Sequence, residues 1–145
     1  MRLPIAIPPE LRVLLGRPLR DAAANENLLS LRGQHVETIG ERVYVTIGRG
    51  EVVLHGDLTR FEASAVFVYG PGQWNRRNKG YPRPLPGGVT WAFTRAEVLA
   101  ALGQPDDHIR DSRGLSDRYN TGPLCVSFDY ADERAPVHMI GVFFQ

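Results

Sequence analysis

The sequence predicts an α+β protein made of two related halves, each with short helices packed on an antiparallel β-meander. Three observations predict it. Leu-rich helical stretches give way to period-two alternation on both sides of the chain's middle, a Pro/Gly-rich segment at 70–88 separates the two sides, and short matches recur in the same order in each. At 145 residues and 16.2 kDa the chain reads as one domain, with halves at about 11–69 and 89–144. A chain of this size buries roughly 68–70% of its unfolded surface, so its core needs no metal or disulfide staple.

The elements follow in order. Three prolines before Glu10 resist an early helix, but Pro9 suits a first helical turn, and Leu11, Leu14 and Leu15 then share one face through Leu15. Gly16 and Pro18 end that helix. A second helix is predicted from Asp21 to Arg32, with Asp21 as N-cap, Leu28 and Leu31 facing the core and Gly33 past its end. The period then changes. Val43, Val45 and Ile47 lie on one side of a strand, Gly48-Arg49-Gly50 turns, Glu51–His55 returns, and Phe61–Tyr69 puts Phe61, Ala63, Ala65, Phe67 and Tyr69 on one face.

Gly70–Gly88 is a long loop joining the halves. Val89–Phe93 alternates like a strand. Thr94-Arg-Ala-Glu97 is a capping box, flanked by Phe93 and Val98 at the staple positions, and opens a helix through Leu102 that Gly103 and Pro105 stop. After a polar loop, Leu124–Tyr130 and Val137–Phe144 read as strands. Leu15-Gly-Arg-Pro18 recurs as Leu102-Gly-Gln-Pro105, Gly50–Asp57 aligns with Gly122–Asp129, and Ala65–Tyr69 aligns with Ile140–Phe144, which points to an internal duplication.

One motif set carries a resemblance. Leu85-Pro-Gly-Gly-Val-Thr-Trp91, the run Thr94-Arg-Ala-Glu-Val-Leu-Ala-Ala-Leu-Gly-Gln-Pro-Asp106, Arg118-Tyr119 and the strand Leu124-Cys-Val-Ser-Phe-Asp-Tyr130 resemble a segment of small bacterial proteins encoded beside polymorphic or secreted toxins. The helix-plus-meander before it, ending in Val66-Phe-Val-Tyr69, is similar to what precedes that segment in such proteins. The resemblance implies a toxin-immunity protein: a stoichiometric, non-catalytic binder of a cognate protein toxin. It transfers no functional residue position by position.

Composition narrows the chemistry. Seventeen basic residues against 16 acidic leave a charge of +1, too small for a whole-protein field toward nucleic acid or membrane, and no apolar run has the length of a membrane span. The chain is expected to be cytoplasmic, with no membrane association and no cofactor. Cys125 is the only cysteine and sits in an apolar strand, so it reads as a small core hydrophobe. A nucleophile–base pair with His138 across adjacent strands is the enzyme alternative. His35, His55, His108 and His138 have no metal-ligand spacing, and the acidic run Asp106, Asp107, Asp111 and Asp117 is interspersed with Arg110, Arg113 and Arg118, as in a self-neutralising loop. Neither a catalytic nor a metal site is therefore expected.

The one concentrated positive patch is Trp74-Asn-Arg-Arg-Asn-Lys-Gly-Tyr-Pro-Arg83. Arg76, Arg77, Lys79 and Arg83 stand there without an acid, interleaved with Trp74 and Tyr81. Arginine and aromatic side chains anchor protein interfaces, and they also suit single-stranded nucleic acid. These six residues are the expected partner-binding set. The alternatives are a solvated linker with both aromatics tucked against the core, and a small nucleic-acid-associated protein.

Overall fold

The fold is taken from a computed structural model that describes residues 4–25, 28, 31 and 33–145. It is mostly sheet. Eight antiparallel strands form one continuous sheet in the order β1-β2-β3-β4-β8-β7-β6-β5. Their ranges are β1 Gln34–Ile39, β2 Arg42–Ile47, β3 Val52–Asp57, β4 Ala65–Tyr69, β5 Asp107–Asp111, β6 Gly114–Thr121, β7 Leu124–Tyr130 and β8 Met139–Phe144. Each half of the chain supplies a four-strand meander, and the last strands meet at the centre, where Val66 lies opposite Val142.

Short helices cover one face: α1 Pro9–Arg12, α2 Leu19–Ala23 and α3 Arg95–Leu102. Against them the strands present Val43, Val45, Leu54, Val66, Val126, Phe128 and Ile140, which pack with Leu11, Leu14, Leu19, Ala22 and Val98 in one buried cluster. Period-two alternation makes this possible, because every second side chain turns to the same face. Gly56 marks the closest approach: a Cβ there would meet Glu62 O at 2.6 Å and Leu19 Cδ1 at 2.7 Å, so α2 can lie directly on β3. Among the described residues no helix covers the other face of the sheet.

Pro9 begins α1, and Thr94 and Glu97 close the capping box of α3 as the sequence predicts. Several expectations need correction. The second helix starts at Leu19 and ends at Ala23; Pro18 serves as its N-cap residue, and residues 26, 27, 29, 30 and 32 of the expected helix lie outside the described residues. Leu28 is nonetheless buried. The third predicted strand is shorter than Phe61–Tyr69, because residues 61–63 bond to the chain entering α2: Leu19 N–H donates to Phe61 O and Ala63 N–H to Arg17 O. Phe61 is left-handed at φ 53° and exposed. Val89–Phe93 is not a strand, since the Thr90 hydroxyl accepts the Ala92 N–H and Thr90 O accepts the Phe93 N–H, folding the segment into a turn.

Three strands lie where none was expected. β1 is exposed along its whole length, so it lacks the apolar alternation that would announce it. The polar loop after Leu102 is instead the β5–β6 hairpin. Its signal was masked because the inward positions of β6 are Leu115, Asp117 and Tyr119, and a carboxylate breaks the apolar pattern.

Candidate functional site

The helix-free face of the sheet carries a row of rings. Tyr44 on β2 meets His55 on β3 edge to face at 4.6 Å, His55 lies 4.4 Å from Phe67 on β4, and Phe67 stacks at 6.3 Å on Phe143 of β8. The Arg118 guanidinium sits 5.8 Å above the Phe143 ring, and its buried Nε–H finds no acceptor among the described residues. Gly141 lets this row form. A Cβ there would come 2.6 Å from Phe67 Cε1, so only glycine leaves room for the ring to cross β8.

Burial, reinforced by the nearby charge of Arg42, holds His55 down at about 4. The sign follows directly. Between its ordinary value near 6.5 and about 4 the unfolded chain binds a proton that the folded chain does not, so stability from neutral His55 is complete above about pH 6.5 and is lost as pH falls toward 4. His138 is lowered too, by burial, and acts in the same direction. The urea midpoint is expected to fall between pH 7 and pH 5, and to fall less in His55→Gln; an equal drop in both proteins would remove His55 from the account.

The loop after β4 is ordered by one side chain. Asn78 is buried, donates from Nδ2 to Gln73 O at 3.1 Å, and accepts the Gly80 N–H at 2.7 Å, while its own carbonyl takes the Gly72 N–H. No local pattern marks Asn78, a polar residue among cations. This scaffold sets Trp74 in the left-handed region at φ 64°, edge to face with Tyr69 at 5.7 Å and 77% exposed.

Trp74 and Tyr69 form the wall between two grooves. One, of about 740 Å³, is lined further by Ile109, Ser116, Arg118, Asp129 and Met139. The other, of about 560 Å³, is lined by Tyr44, Val53 and His55. In the first, the Ser116 hydroxyl donates to Asp129 Oδ1 at 2.8 Å, and burial raises the Asp129 carboxyl above its ordinary value despite that bond.

The six residues singled out in the sequence do not stay together. Trp74, Arg76, Arg77 and Lys79 are exposed, and among the described residues none of these three cations makes an ion pair. Arg83 is half-buried. Tyr81 belongs to the core on the helix-covered face; its buried hydroxyl has no partner among the described residues, and burial pushes it up to about 12. The carbonyl of Tyr81 accepts the Trp91 Nε1–H at 3.2 Å, which fixes the loop where it reaches that face.

Cys125 and His138 are not brought together. Cys125 lies opposite Phe143, five positions along from His138, and burial raises the thiol above its ordinary value. Among the described residues no three His, Cys, Asp or Glu side chains cluster as a metal site would require, and no helix is long and apolar enough to cross a membrane.

No protein-family model matches the chain, and no curated protein matches it at a significant level. Two solved structures are similar in shape. A DUF4309 family protein from Bacillus subtilis is 14% identical, with a TM-score of 0.45 over 79% of this chain and 66% of its own. A cysteine-rich secretory protein from Staphylococcus aureus is 9% identical, with a TM-score of 0.56 over 100% of this chain. This chain spans 52% of that staphylococcal protein's length, and the likeness is one of fold.

Proposed function

We propose that this chain is a non-catalytic binding protein of immunity type, which holds a cognate bacterial toxin in the cytoplasm through the helix-free face of its sheet. One observation carries the reading: Trp74 stands exposed, in a backbone conformation unfavourable for a large side chain, between two grooves. Left-handed backbone costs a non-glycine residue about 1–2 kcal/mol, and the edge-to-face contact with Tyr69 offsets part of that in the free chain. A partner that buries the ring supplies the missing term, and large aromatics in such central positions dominate interface energies. The toxin as partner rests on the sequence resemblance.

The internal duplication belongs to the same proposal. The aligned segments fall on β3 and β7 and on β4 and β8, the third and fourth strands of the two meanders, with the β4–β8 match offset by one residue from the shared core face.

The nucleic-acid alternative rests on Arg76, Arg77 and Lys79 beside Trp74. Titration against the product of the neighbouring gene, and against mixed-sequence oligonucleotides at two salt concentrations, separates the two. Stoichiometric binding of the neighbouring protein, with oligonucleotide binding weaker than micromolar, is expected. Tight oligonucleotide binding with a log–log salt slope of about −2 to −3, as neutralising three or four phosphates would give, and no affinity for the protein, would overturn the proposal.

A further inference from the structure

The two edges of the sheet differ. β5 carries Asp107, Arg110 and Asp111, the charged guard typical of an edge strand. β1 has one formal charge, Glu37, and no proline, and it exposes Val36 at 60% and Ile39 at 58%. An open strand of this kind is a template for a further strand.

Among the described residues no strand pairs with the outer side of β1, and the register identifies the backbone groups that point there. Gly48 N–H donates to Gly33 O at 2.8 Å, so Gly33 and, by alternation, His35, Glu37 and Ile39 direct their backbone groups toward β2. Gln34, Val36 and Thr38 therefore direct theirs outward. A second strand must match outward residue to outward residue.

We propose that β1 is the joint through which two copies of this chain pair edge to edge, antiparallel, with Val36 on the two-fold axis. In this register Gln34 lies opposite Thr38 of the second copy and Val36 opposite its equivalent, each pair exchanging both N–H···O bonds. His35 then lies opposite Glu37 of the second copy, twice by symmetry, an imidazole facing a carboxylate in the closer, non-hydrogen-bonded type of pair. Sliding the register by two positions in one direction sets Glu37 against Glu37, and in the other sets His35 against His35. The strand is thus self-complementary in a single register, which selects a second copy over an unrelated strand. A two-fold joint also closes, so it stops at a dimer. Trp74 takes no part in it, but Glu37 and Ile39 also line the smaller groove beside Trp74, so the joint borders the face proposed for toxin binding.

Sedimentation of the full chain tests this. The mass is expected to rise with concentration from 16.2 kDa to about twice that. His35→Glu creates two like-charged pairs and weakens association about tenfold or more. Adding Glu37→Lys to His35→Glu restores attraction and returns the dimer. Val36→Pro removes only an outward N–H, which edge strands tolerate, and yields a folded monomer by circular dichroism. A wild-type chain that stays monomeric from micromolar to millimolar concentration overturns the proposal. So does a dimer that survives both single variants, or a double variant that fails to recover.

Discussion

Asp117→Ala is expected to destabilise the fold by about 3–5 kcal/mol, the range for breaking a buried ion pair from one side. Asp117 is fully buried on the helix-covered face of β6, where its neighbours in the strand are Leu115 and Tyr119. Arg95, the first residue of α3, grips it with two bonds: Nε donates to Oδ2 at 2.7 Å and Nη2 to Oδ1 at 3.3 Å. His108 Nδ1 lies 2.6 Å from Oδ1 across the β5–β6 pair. The carboxylate holds Arg95 more firmly charged than usual, and Glu133 adds a further bond to that guanidinium while also pairing with Arg110 at 2.7 Å. Truncation removes the group on which α3, β5 and β6 converge, and leaves the Arg95 guanidinium, only 17% exposed, without its main acceptor. Urea unfolding gives the number. Replacing both partners, as Asp117→Leu with Arg95→Met, should recover most of the loss, because no lone charge then remains buried. A single-variant loss below about 1 kcal/mol would show that the pair is solvated and the account wrong.

Trp74→Gly should uncouple binding from stability. Affinity for the protein partner is expected to fall by about 2 kcal/mol or more, roughly 30-fold, as for a central aromatic anchor. Stability of the free chain should stay within about 1 kcal/mol of wild type. Glycine relieves about 1–2 kcal/mol of left-handed strain, which offsets the roughly 0.5–1.5 kcal/mol of the edge-to-face contact with Tyr69. Trp74→Ala should lose the same affinity while keeping the strain. Calorimetric titration and urea unfolding on the same preparations give both numbers. A ring that serves the fold alone would show the reverse, with a stability loss above about 2 kcal/mol and binding untouched, and that result would remove Trp74 from the interface.

Much of the scaffold was legible because its signals are local. The alternation of Val43, Val45 and Ile47, the Gly48–Gly50 turn and the Thr94/Glu97 capping box each lie within a few residues, and each matches the structure. Val89–Phe93 shows the limit of such reading. It has the right period, but the Thr90 hydroxyl captured a nearby N–H and made a turn.

What the sequence determined by itself was the mixed α/β composition, the β2–β3 hairpin, the cap of α3 and the irregular central segment, since these follow from periodicity and punctuation. Tertiary structure decided the rest. Asp117 became a core residue only because Arg95, 22 positions away, supplies its counter-charge. Trp74 and Tyr81 look equivalent in the chain, yet the loop held by Asn78 leaves one in solvent on the open face and carries the other into the core. The edge of the sheet likewise exists only once eight strands are ordered, which is why β1 had no signature in a sequence whose patterns record burial. Burial of a polar or aromatic group depends on what the fold places opposite it, and that partner is set by distant chain.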